Sequence, residues 1–440
     1  MRKFKWVLVF GFAAWVQRMA VAPPLFLGTK TPYVTPMGES TAAPAGYRPV
    51  FVNYVGRHGA RFLTKAGADI GVLRVLEEAA GKQGLTSLGQ RVRAAVKRLC
   101  LIEKGQYENI TLLGAAEQRA IGQRMLNRYP EVFQGRGLDV AVTYKMRTKQ
   151  SADAFLQGLE GYHGATHVTR LPDSLDAILR FYDLSPAYQK YKKGEVVKKA
   201  MDSVDRDPRT GAVATAVSER LFTPAFLRGR TAADALAFSD DLYDLYSVQF
   251  SMPGEIKEKG WGLDSADVSV AFSREDLVWE DFRNGAQDFL EKGPAREPLG
   301  IQVKVAAPLL ADFIRTTDEA VAGRRKDAVL RFTHAEAISP FASLLGIPEA
   351  SMPAAAIARY HDHWQAERII PLSANVQWIV YSNGKEERVK LLLNEREVRL
   401  PIGGGPYYSW KELRAYCIER LKAVQTGLEG DMLAYLKELR

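Results

Sequence analysis

Apolar positions run almost without interruption through Val50-Phe51-Val52-Asn53-Tyr54-Val55, and a glycine follows. A β-branched and aromatic run with no polar alternation predicts a strand buried on both faces. Leu138-Asp139-Val140-Ala141-Val142-Thr143-Tyr144 and Asp327-Ala328-Val329-Leu330-Arg331-Phe332-Thr333 predict two more. Between the last two the spacing turns helical, as in Asp173–Tyr182 and Ala232–Phe238, and Pro208, Pro224, Pro253 and Gly254 punctuate it. Val376–Tyr381 and Arg388–Leu393 flank Asn383-Gly384, a hairpin signal that predicts an antiparallel addition to the sheet edge. Asp431–Leu439 reads as a closing amphipathic helix. The pattern predicts an α/β fold: an open, mostly parallel sheet flanked by helices, with a mainly helical inserted domain. The expected bounds are 23–165 with 315–440 for the α/β domain and 166–314 for the insert.

Each of the three strands runs into charged or titratable residues. The first ends in Arg57-His58-Gly59-Ala60-Arg61, the second is followed by Arg147 at the start of a helix, and the third enters His334-Ala335-Glu336. In open α/β sheets ligands sit beyond the carboxyl ends of the strands. Arginine offers a planar, permanently charged fork that matches phosphate oxygens, so two arginines around one histidine suit a phosphate held against a nucleophile. Gly59 is expected to let the backbone turn sharply and approach a ligand.

In this order the three motifs resemble the histidine acid phosphatases. The His-Ala-Glu form resembles the multiple inositol-polyphosphate phosphatase branch, where ordinary acid phosphatases have His-Asp. Leu27-Gly28-Thr29-Lys30-Thr31, Leu112-Leu113-Gly114 and Pro371-Leu372-Ser373-Ala374-Asn375 are further echoes. The chain departs from the family at Leu63, where a proline is usual, which touches loop shape more than chemistry. The resemblance implies a histidine phosphatase fold whose helical insert roofs the active site. It also implies His58 as nucleophile through a phosphohistidine, Arg57, Arg61, Arg147 and His334 as phosphate ligands, and Glu336 as the group that protonates the leaving oxygen. The implied substrates are phytate and lower inositol phosphates, with sugar phosphates as the alternative and a non-catalytic phospholigand-binding protein as a third reading. Lys30 and Lys65, each near a family-like motif, are candidates for contacts to non-reacting phosphates.

The composition, 47% hydrophobic and 25% charged over 440 residues, is that of an ordinary globular chain. Arg2, Lys3 and Lys5, an apolar run from Trp6 to Val16 and Ala20-Val21-Ala22 have the layout of a signal peptide over 1–22, so export to a periplasm or beyond is expected, with no stable membrane anchor. Export argues against nucleic acid as the reason for the net charge of +9, and a small polyanionic substrate accounts for the same sign. Lys192, Lys193, Lys198 and Lys199 read as a solvated helix face. Cys100 and Cys417 are too few for a disulfide framework, and their pairing stays open. No cofactor motif stands out and no metal site is expected. His361 and His363, on an expected helix, would point to different faces, and His163 and His167 read likewise as structural or surface residues.

Overall fold

The computed structural model describes residues 25–440 except Glu39 and Arg325. The signal-peptide expectation for 1–22 lies outside the described residues. One sheet contains β1 (Arg48–Arg57), β2 (Leu138–Val142), β3 (Thr166–Arg170), β4 (Ala328–Thr333), β5 (Asn375–Ser382), β6 (Glu387–Leu393), β7 (Arg396–Glu397) and β8 (Tyr407–Ser409). The order is β3-β2-β4-β1-β5-β6-β7, with β8 also paired to β6. Strands β3, β2, β4 and β1 are mutually parallel, and β5 joins β1 antiparallel. The expected hairpin forms at Asn383-Gly384, where Gly384 has φ +86° and Asn383 accepts from the Lys385 and Glu386 N–H groups.

Both faces of the central strands are covered, as the unbroken apolar run requires. Phe51 and Val55 pack into the larger core with the helical layer, while Val52 and Tyr54 face a second core containing Leu330, Phe332, Phe155 and Ile121. The polar residue in the run, Asn53, donates to the Phe313 carbonyl and accepts from Arg331, whose guanidinium also pairs with Asp312. Such a buried ion pair is tolerated because its hydrogen-bonding capacity is met.

The helices that bear on the site are α1 (Leu112–Arg128), α2 (Met146–Gly158), α3 (Ala232–Gln249), α4 (Arg274–Glu291), α5 (Ala307–Val321) and α6 (Ala335–Leu345). Three expectations about elements change. Residues 166–170 form β3 and pair with β2, so the sheet continues past 165. The stretch 173–182 is a single turn of 3-10 helix followed by the short helix Phe181–Leu184, because the Asp176 carboxylate takes the Leu179 N–H and turns the chain. The helical layer also draws on an earlier stretch: Thr86 donates to the Arg220 carbonyl, and Val72 and Leu76 share a core with Val217 and Phe238. Among the described residues no helix is long and apolar enough to cross a membrane.

Candidate active site

Register brings the three motifs together. Arg57 pairs with Thr333 across β1 and β4, and Val142 pairs with Phe332 across β2 and β4, so the three strands end at one level. His58 and His334 are the next residues on two neighbouring strands, with ring centroids 5.5 Å apart. Arg147 lies in the first turn of α2, just beyond β2. Both histidines and Arg57 are buried.

The loop carrying His58 is held from several directions. His58 N–H donates to the Thr333 carbonyl, and its own carbonyl accepts from Ser373 N–H. Gly59 N–H donates to Ser151 of α2, and Ala60 N–H donates to the Glu117 carboxylate of α1. Glu117 also takes Tyr33 N–H and the Ser373 hydroxyl, while Gln118 donates to the Arg57 carbonyl and Ser373. A Cβ on Gly59 would lie 2.5 Å from the Gly114 carbonyl oxygen. Gly59 therefore serves the close approach of this loop to α1, which corrects the expectation that it faces a ligand. The family-like segments around Gly28, Gly114 and Ser373 thus form the frame of one loop.

Hydrogen bonding fixes the imidazole protons. His58 Nδ1 lies 2.9 Å from the Gly59 carbonyl; a carbonyl only accepts, so Nδ1 carries the proton and Nε2 presents a lone pair. Thr148 Oγ1 donates to the Lys145 carbonyl at 2.7 Å. Thr143 Oγ1 then donates to Thr148 at 2.8 Å and accepts from His334 Nε2 at 3.1 Å. This leaves His334 Nδ1 as a buried atom with no hydrogen-bond partner in the protein.

Burial first, then Arg57, Arg147, Arg61 and His334, hold the His58 pKa well below its ordinary value, so the ring is neutral. Burial, then Arg147, does the same to His334 against the opposing charge of Glu336. Arg57 Nη1 is anchored to the Thr29 and Ile370 carbonyls, and Arg61 Nη1 to the Phe62 carbonyl. Burial lowers both guanidinium groups to about 10. The Nε atoms of Arg57, Arg61 and Arg147 are buried without a hydrogen-bond partner, while Arg147 Nη1 stands 3.3 Å from Glu108. Buried donors are rarely left unpaired, and a cluster of them around a neutral imidazole can cradle a tetrahedral oxyanion.

Glu336 sits in the first turn of α6, with its side chain about one third exposed. Burial would raise its pKa, but the Lys292 ammonium, His334, its own N–H and Arg57 outweigh this and hold the carboxyl well below the usual range. Lys292 follows the last turn of α4 and pairs with Asp288 and, at 3.7 Å, with Glu336. The sequence offered no sign of Lys292, which lies in no motif. Thr143, Thr148, Glu117 and Gln118 were missed in the same way, though their positions flanking the motifs were a usable signal.

The remaining expectations fall outside the cradle. Lys30 donates to Asp244 at 2.6 Å and to Ser247, both on α3, and Lys65 is exposed. His163 and His167 are exposed, and Lys193, Lys198 and Lys199 are solvated, whereas Lys192 covers the Tyr188 ring. Cys100 and Cys417 are both free. The segment Ile357–Asp362 is 3-10 rather than α, pinned by Tyr360, whose hydroxyl reaches the Phe282 carbonyl. His361 is accordingly not an isolated surface ring: ligand atoms of His361, Asp281 and Glu367 lie within 4.8 Å of one another.

The family described as histidine phosphatase superfamily (branch 2) matches residues 50–394. The human protein multiple inositol polyphosphate phosphatase 1 is 23% identical over 447 residues, spanning 94% of this chain and 87% of that protein. The crystal structure of Bifidobacterium longum multiple inositol polyphosphate phosphatase in complex with inositol hexasulfate is similar, with TM-score 0.76 and 24% identity over 89% of this chain and 97% of that one. The phytase from D. castellii is similar at TM-score 0.66 and 18% identity, covering 90% of this chain and 85% of that one.

Proposed function

Because the chain belongs to the histidine phosphatase superfamily (branch 2), we propose that it is a phosphomonoesterase that hydrolyses phytate and lower inositol polyphosphates through a phosphohistidine on His58. The observation that carries this reading is the cradle. The buried Nε donors of Arg57, Arg61 and Arg147 and the buried Nδ1 lone pair of His334 are unpaired by the protein, around an imidazole whose Nε2 lone pair is free. The similarity to proteins named as inositol polyphosphate phosphatases and phytases supports the substrate class.

The geometry supports the following steps. His58 Nε2 attacks phosphorus, the N–P bond forms and the bond from phosphorus to the ester oxygen breaks. The arginines stabilise charge on the three equatorial oxygens, where it accumulates in a loose transition state. His334 Nδ1 has no proton while its Nε2 proton is committed to Thr143. It pairs with a phosphate oxygen through the proton of a monoanionic ester. Glu336 gives a proton to the departing alkoxide, then removes one from the water that attacks the phosphohistidine, and inorganic phosphate leaves with His58 neutral again. No metal takes part in these steps. Lys30 and Lys65 remain proposed contacts to non-reacting phosphates. Lys30 would have to exchange Asp244 for the ligand. The basic, apolar and small-residue pattern over 1–22 supports export.

The test is phosphate release from phytate in the presence of chelator by the purified protein and its His58→Ala variant. Release that requires His58 supports the reading. Release from sugar phosphates alone moves the substrate, and no release from either favours a phospholigand-binding protein.

A further inference from the structure

We propose that Lys292 makes the site selective for esters that carry a second phosphate beside the one transferred, by exchanging its contact with Glu336 for that phosphate and so leaving Glu336 free to carry a proton. This rests on the reading above, in which Glu336 is the acid. Lys292 lies at the end of α4, and its side chain is only 16% exposed. Its ammonium is divided unequally between two carboxylates. Asp288 is in direct hydrogen-bonded contact, and Glu336 is at 3.7 Å, beyond hydrogen-bond range. The looser of the two contacts is the one an incoming anion displaces.

A general acid must hold a proton when the leaving oxygen departs. The unliganded site opposes that. The permanent positive charges of Lys292, Arg57 and Arg61 favour the charged form of Glu336, and the neutral His334 ring lies beside it. Tyr182, Tyr188 and Asp183 also interact with it, and Asp288 shares its Lys292. A phosphate on the neighbouring carbon changes the balance in two ways. It offers Lys292 oxygens carrying more charge than a carboxylate, and it brings negative charge up to Glu336, which favours the protonated acid. An ester with one phosphate seats it on the arginines and supplies nothing for Lys292. Selectivity would then arise in turnover as well as in binding.

The experiment compares phytate with glycerol 2-phosphate, an alkyl ester with a single phosphate and a poor leaving group, measuring kcat and KM against pH. Lys292→Met should raise KM for phytate about tenfold. It should also move the basic limb of kcat for glycerol 2-phosphate about one unit upward, because Glu336 loses the cation that keeps it ionised. Lys292→Arg should retain phytate KM within about threefold. Asp288→Asn should act oppositely, leaving Lys292 to Glu336 alone and moving that limb downward, and it decides the matter if Lys292→Met does not fold. Equal losses on both substrates, or limbs that do not move in either variant, overturn the proposal and leave Lys292 a packing residue. If His58→Ala is inactive while these shifts are absent, only this inference fails. If His58→Ala still turns over, the reading beneath it fails.

Discussion

At the carboxyl ends of β1 and β4, the backbone around His58 is tied by Thr333, Ser373, Ser151 and Glu117, which belong to four separate parts of the fold. Beside Glu336, Lys292 stands at a helix end where one aspartate fixes it and a second carboxylate shares it. The first region has its geometry over-determined and suits chemistry common to any phosphate ester. The second depends on a single side chain with an alternative partner within reach and suits discrimination between esters. Chemistry on rigid sheet ends with specificity in the surrounding layer is the division expected where one fold serves many substrates.

The largest effect that would break this comparison is at Arg57. Its Nη1 is spent on the Thr29 and Ile370 carbonyls, and the proposed phosphate contact falls to the rest of the fork, whose buried Nε has no partner in the protein. A lysine cannot do both, so Arg57→Lys should lower kcat/KM about a thousandfold on any phosphomonoester. A loss below about tenfold would remove it from the cradle. Glu336→Gln should slow glycerol 2-phosphate about a hundredfold and 4-nitrophenyl phosphate, with its good leaving group, far less. An equal loss would contradict the acid role. Thr143→Val, which leaves the buried His334 Nε2 proton without its acceptor, should raise KM about tenfold and cost about 1–3 kcal/mol of stability. An unchanged KM would show that the ring needs no such guide.

Two smaller effects concern stability. His58 and His334 are held neutral below the ordinary histidine range, and the unfolded chain takes up their protons as pH falls through about 6.5. Their share of stability is therefore present above that pH and lost below it, at up to about 1.4 kcal/mol per unit for each ring. His58→Gln should lose less stability than the parent on acidification, as denaturant titration at two pH values would show. Glu103, beneath the helical layer, accepts from Leu63 N–H, and burial pushes it up to about 8. Ionising it costs stability as pH rises from the unfolded value of about 4.3 to the folded one, so Glu103→Gln should gain about 2 kcal/mol at neutral pH and little in acid. A gain that does not depend on pH would point to packing instead.

What could be read from the sequence follows the same division. The strand ends announced themselves because a continuous apolar run and a charged motif lie side by side in the chain, as in Val50 to Arg61. Their convergence depended on the register of Arg57 with Thr333, which no local pattern encodes. Strand β3 was missed because all five of its residues are exposed, leaving no hydrophobic signal at Thr166–Arg170. Gly59 was assigned the wrong neighbour, since the partner that excludes a side chain there is Gly114, more than fifty residues away. Lys292 was invisible because it is an ordinary lysine at an ordinary helix end, and only packing brings it to Glu336.

The most direct test of the central claim is the stereochemical course at phosphorus, using a phosphorothioate monoester made chiral with oxygen isotopes. Transfer to His58 and then to water inverts the centre twice, so the account predicts net retention. Net inversion would mean that water attacks the ester directly, and His58 would not be the nucleophile.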